Sequence, residues 1–185
     1  MNIADAQRDV RTVFLGGFAG QLVSGTLWLL SAALATFATP NSAILVLVLG
    51  GIFIFPLTQL TLRLMGRRAS LGRDHPMNQL AMQVAFTLPL NLLIVMAATL
   101  YRLNWFYPAF MIALGTHYLP FIFLYGMRQF AVLAAVLIGA GVIIGMYFSS
   151  VFSLGGWFTS VVLLIFAFVG RSAVLRESRE PRAAE

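Results

Sequence analysis

Residues 105–148 read WFYPAFMIALGTHYLPFIFLYGMRQFAVLAAVLIGAGVIIGMYF: two apolar runs, 105–126 and 130–148, parted only by Met127-Arg128-Gln129. A helix crossing the hydrocarbon of a bilayer needs about 20 mainly apolar residues, and each run supplies them. The short polar turn then makes them an antiparallel pair of spanning helices. Working outward, the same pattern recurs at 13–38, 42–64, 79–100 and 156–170, with a turn at Thr39-Pro40-Asn41 and a tight link at Tyr101-Arg102-Leu103-Asn104. The expected fold is all-α: one polytopic transmembrane bundle of six spans with a charged tail, 171–185.

Composition agrees. Of 185 residues, 60% are apolar and 10% charged, too few charges to cover a soluble domain of this size. Short loops leave no room for a second domain. The net charge of +6 sits at the ends of apolar runs, where it meets anionic headgroups, and not in a basic stripe. The lipid bilayer is therefore the expected partner, and nucleic acid is not. Absence of cysteine excludes disulfides and thiolate chemistry. The absence of lysine hints at a GC-rich, bacterial genome. The first apolar run is too long for a signal-peptide core and lacks a convincing cleavage site, so it is expected to stay.

The arginines orient the bundle. Eleven of twelve fall in the amino terminus, the 65–78 loop and its approach, the turn at Arg128 and the tail; Arg102 alone lies opposite. Cytoplasmic loops carry the basic excess, so both termini are expected in the cytoplasm of a bacterial inner-membrane protein. Arg102 sits among Tyr101, Trp105, Phe106 and Tyr107, an aromatic belt that headgroup anchoring explains.

The polar residues inside the spans are few. All six carboxyls (Asp5, Asp9, Asp74, Glu177, Glu180 and Glu185) fall in loops or tails. Proton-coupled carriers and membrane metalloproteases place ionisable groups at depth, so neither is expected. Asp74-His75 reads as a solvated turn. The segment Leu22-Val23-Ser24-Gly25 lacks the glycine two residues before the serine that rhomboid-type proteases carry, and His117 is in the wrong helix for them. No enzyme activity, metal or cofactor is expected.

His117 is the one ionisable side chain deep in a span. In the third span Gln79, Gln83, Thr87 and Asn91 recur every four residues on one slowly drifting face. An amide moved into hydrocarbon without a partner costs roughly several kcal/mol, so this face is expected toward protein or water. Pro89 lies within it and frees a backbone carbonyl. Gln21, Ser24, Gln59, Gln83, Thr87, Asn91 and His117 reach similar depth in the cytoplasmic half. They form either one polar cavity for a small neutral or weakly polar molecule, or hydrogen-bonded glue between helices. Gly16, Gly20 and Ser24, and again Gly141 and Gly145, keep small residues at four-residue spacing, a contact face within the molecule or between copies in a homo-oligomer.

Gly16-Gly17-Phe18 with Gly20-Gln21, Phe53-Ile54-Phe55-Pro56-Leu57-Thr58-Gln59, Asn104-Trp105-Phe106-Tyr107-Pro108-Ala109-Phe110 and His117-Tyr118-Leu119-Pro120 resemble phrases of a family of small uncharacterised bacterial integral membrane proteins, a domain of unknown function. The resemblance spans nearly the whole chain. It implies a membrane location but no activity, and it lends no catalytic or binding residue.

Overall fold

Eight α-helices and two short 3₁₀ turns make up the computed structural model, which describes residues 2–179; there is no strand among them. Arg182, Glu180 and Glu185 of the tail lie outside the described residues. The helices are α1 (Ile3–Val13), α2 (Phe18–Phe37), α3 (Pro40–Gly51), α4 (Ile54–Leu64), α5 (Asn78–Tyr101), α6 (Phe106–Tyr125), α7 (Gln129–Tyr147) and α8 (Leu154–Glu177). Five segments are long and apolar enough to cross a membrane, six if α3 and α4 are counted as one bent span.

Three boundaries differ from the expected spans. The region expected to run unbroken over 42–64 is two helices bent by 61° at a break of Ile52-Phe53. Gly50-Gly51 weakens the helix there, and Pro56 then falls in the first turn of α4, where its missing N–H breaks no helical bond. Helix α8 runs seven residues past 170 to Glu177, so the start of the tail is ordered helix. The amino terminus, read only as a charged leader to the first span, is itself a helix. Asn2 caps α1 by accepting the Asp5 N–H at 2.8 Å, and Ala6 and Val10, four apart, form its buried face.

Between α1 and α2 the chain makes a left-handed turn. Leu15, Gly16 and Gly17 have φ of 50°, 63° and 84°. Two glycines accept this freely; Leu15 does so at a cost of about 1–2 kcal/mol. Burial of its side chain against Phe18 and Ala167 offsets that cost.

The most extensive packing is between α6 and α7 and between α2 and α8, with α7 on α8 joining the two pairs. Small residues permit it. Gly141 and Gly145 of α7 face Pro108 of α6, and Gly155 and Gly156 of α8 lie against Tyr107. The expected glycine contact faces are thus used within the chain. Helices α3 and α4 pack on α2, and α5 packs on α6, so these elements flank the four-helix centre. Helices α2 and α6 meet through side chains at one level: Trp28 lies 5.7 Å from the Tyr107 ring and 5.0 Å from that of Phe110. At the same end Ser31 donates to the Ala43 carbonyl at 2.9 Å and accepts from Tyr107 at 2.6 Å, tying α2, α3 and α6.

Candidate functional site

Below that aromatic bridge α2 and α6 face a partly open space that α3, α4 and α5 also line. The result is a cavity of about 580 Å³, within the size range of small-molecule sites. Its walls run along α2 from Gly17 to Trp28, along α5 from Ala81 to Leu92, and along α6 from Phe110 to Tyr125. Among the described residues, no acidic or arginine side chain lines it.

Of the seven polar residues expected to converge, four are on this wall: Gln21, Ser24, Gln59 and His117. Gln83, Thr87 and Asn91 are not. Helix α5 presents Ala81, Val84, Ala85, Leu88 and Leu92 to the cavity instead, and a residue one position away points about 100° around the helix. Gln83 is exposed, and Asn91 is half-buried. Thr87 bonds directly to His117, its Oγ1 lying 2.8 Å from Nδ1. The same hydroxyl donates to the Val84 carbonyl at 2.7 Å. Its one proton being committed, Nδ1–H of His117 donates to Thr87, and Nε2 is left as an acceptor. Thr87 therefore orients the imidazole and fixes its tautomer from behind the wall.

Gln21 is the unusual member. It is 3% exposed, and neither Oε1 nor Nε2 has a hydrogen-bond partner among the described residues. An amide buried in this way costs about 1–3 kcal/mol per unsatisfied group. Thr58 of α4, beside Gly20, also lines the cavity with a buried, unpartnered hydroxyl. Pro89 on the α5 wall lacks the N–H that the Ala85 carbonyl would otherwise accept. Thr159 and Ser160 of α8 are likewise buried without partners, but they do not line the cavity.

Thr58, Tyr118 and Tyr125 are wall residues that the sequence reading missed. Thr58 is adjacent to Gln59 and Tyr118 to His117, so the signal was present. The Tyr118 and Tyr125 rings pack on Phe130, Tyr118 stacked at 6.1 Å and Tyr125 at 5.0 Å.

At the Tyr125 end the cavity meets α1. Phe14, the residue after α1, and Gly17 of the left-handed turn are both on the wall. Helix α1 is held there largely by polar contacts. Gln7 donates to the Phe123 carbonyl at 2.6 Å, which also accepts the Gly126 N–H, and Arg11 donates to the Tyr125 carbonyl at 3.2 Å, both in the last turn of α6. Arg8 and Arg11 bind Glu177 of α8, Arg11 through both carboxylate oxygens at 2.7 Å. His75 is buried, not solvated as expected. Its Nδ1 accepts the Met77 N–H at 3.2 Å, which leaves Nε2 for the proton; Nε2 lies 3.4 Å from Asp9 of α1, in contact but outside hydrogen-bond geometry.

No curated protein and no solved structure matches this chain. The profile of one family, described only as a family of unknown function, matches residues 3–171, nearly the whole length. The chain belongs to that family, DUF7010.

Proposed function

We propose that this is a bacterial inner-membrane protein of six spans, α3 and α4 forming one bent span, that binds a small neutral or weakly polar molecule in its central cavity. Both termini are assigned to the cytoplasm by the arginine excess. The direct contacts of α1 with His75, with the α6 end and with Glu177 support a single shared face for the arginine-rich segments. The observation that carries the binding reading is Gln21: a buried amide with both polar atoms unsatisfied, on the wall of a cavity large enough for a ligand. Rotation about its soft terminal torsion would present that amide to an entering hydrogen-bonding group. The lack of charge on the wall selects a neutral ligand, since an ion there would be desolvated without a counter-charge. The site is proposed to bind and not to catalyse: its polar groups are amides, hydroxyls and one imidazole, with no nucleophile–base pair among the described wall residues. The Thr87–His117 bond favours helix glue at that position alone.

Trp28 on the cavity wall is a built-in reporter. With Trp105 and Trp157 changed to Phe, titration with 4-bromophenol, a compact neutral quencher, should reduce Trp28 emission saturably. Gln21→Leu should weaken that binding about two- to tenfold, the worth of one hydrogen bond. It should also keep or raise thermal stability, because it removes the unpaired amide. Quenching that rises linearly with probe and is the same in Gln21→Leu would sink the reading.

A further inference from the structure

The cavity is polar at one end and apolar at the other. Resting on the binding reading above, we infer that its ligand is an amphiphile with an uncharged hydrogen-bonding head at the α1 end and an apolar tail directed at Trp28.

The register of the walls orders the lining residues along the bundle. Helix α2 enters the cavity at Gly17 and leaves it at Trp28; α6 runs the other way, from Phe110 to Tyr125. The Trp28–Phe110 contact fixes one end as common to both helices. Arg11 of α1 reaching the Tyr125 carbonyl fixes the other. At the Trp28 end the wall is made by Leu47, Val48, Leu92 and Phe110 beside the indole of Trp28, and Ser24, one helical turn along α2, begins its polar part. Toward the α1 end it carries Gln21, Thr58, Gln59, His117, Tyr118 and Tyr125. These groups include donors and acceptors but no formal charge. Gly17 to Trp28 spans about 16 Å at the helical rise of 1.5 Å per residue. With carbon–carbon bonds of about 1.5 Å and a zigzag path, that length holds head and tail together in an amphiphile of roughly a dozen carbons.

Hydrocarbon chains are already in an apolar medium in the bilayer, so a tail by itself gains little by entering. Burial area therefore cannot hold the ligand. The head must supply the preference, by satisfying groups that are otherwise unpaired. Gln21 and Thr58 are such groups, and a hydroxyl or carbonyl head meets both donor and acceptor needs. A charged head would be desolvated beside neutral groups, and a bare alkane would leave the amide unpaired.

The test uses the full chain with Trp28 as its only tryptophan, in phosphatidylcholine vesicles. The probes are 12-bromo-1-dodecanol, its 2-bromo isomer, 1-bromododecane and a bromododecyl trimethylammonium salt. The 12-bromo alcohol is expected to quench Trp28 saturably and several-fold more than the 2-bromo isomer, because its bromine lies at the tail end. Bromododecane and the ammonium salt should bind about tenfold more weakly or not at all. Equal quenching by the two alcohol isomers, or equal binding of bromododecane and the alcohol, overturns the inference. If 4-bromophenol binds while no long-chain alcohol does, the cavity reading stands and the amphiphile fails. If neither binds, the cavity reading fails with it.

Discussion

Gly170→Ala should be among the most damaging single-methyl changes in the protein. A methyl group on Gly170 would lie 2.6 Å from the carbonyl oxygen of Gly16, and one on Gly16 would lie 2.7 Å from that of Gly170. Both obstacles are backbone, so neither can be relieved by turning a side chain. Gly16 is moreover fixed at φ 63° in the left-handed turn, between a strained Leu15 and Gly17, and has little room to move. Overpacking a well-fitted contact costs typically about 1–3 kcal/mol, and rigid obstacles fall at or above the top of that range. For a chain of this length about 3 kcal/mol corresponds to a fall of roughly 6–12 °C in melting temperature. Gly139→Ala is the matched control. It makes the same change in α7, where an added methyl meets nothing within 4 Å. There the better helix propensity of alanine should leave stability unchanged or higher by up to about 1 kcal/mol. Thermal unfolding of both variants in one detergent decides the matter. Equal melting temperatures would show that the α2–α8 crossing is looser than these distances imply.

The long helices were legible because a bilayer-length apolar run with polar turns has few alternatives. What escaped was local or relational. Helix α1 was hidden because its buried face consists of only Ala6 and Val10, too small a patch to outweigh Asp5, Asp9, Arg8 and Arg11 in a composition window. Asn2 as a cap and the four-residue spacing of Ala6 and Val10 were the available signals. The break in 42–64 was hidden by its own hydrophobicity, although Gly50-Gly51 followed by Pro56 marks it. At the site, spacing along a helix was readable and direction was not. Gln21, Ser24, Gln59 and His117 lie on one cavity wall, while Gln83 and Asn91 on α5 miss it. A stripe at four-residue spacing says that residues share a face. Which face is turned inward depends on what the helix packs against, and α5 packs chiefly on α6. That pairing is long-range information that a single sequence does not carry.

Acid, or the substitution Glu177→Gln, should loosen α1 from the bundle. Glu177 lies past the apolar part of α8, which ends at Gly170, and its side chain is 31% exposed. Its carboxyl is pulled down to about 2 from an ordinary 4.5, chiefly by the hydrogen bonds from Arg11 and further by those from Arg8, against an opposing effect of burial. A carboxyl depressed on folding contributes stability that is fully present above its unfolded value. It is lost as pH falls toward the folded value, here between about 4.5 and 2. Arg8 and Arg11 then lose the carboxylate, while Arg11 keeps the Tyr125 carbonyl and Gln7 the Phe123 carbonyl, so detachment should be local and leave α2–α8 folded. Charge-assisted hydrogen bonds are worth about 1.5–3 kcal/mol when buried, and partial exposure discounts the pair toward the lower figure. Opening of α1 should therefore rise about tenfold, read as faster amide exchange at residues of Ile3–Val13 in Glu177→Gln at neutral pH. The Asp9–His75 contact bears on the same helix. The contribution of Glu177 is thus the difference between wild type and Glu177→Gln across one pH series. Wild-type α1 should approach the exchange of the variant as pH falls below about 4.5, while the variant itself changes less. Because Phe14 and Gly17 continue α1 into the cavity wall, the same loosening should speed the entry of 4-bromophenol to Trp28. Faster exchange with unchanged probe entry would separate α1 from access to the cavity. Unchanged exchange in Glu177→Gln would mean that Ala6 and Val10, not the arginines, hold the helix down.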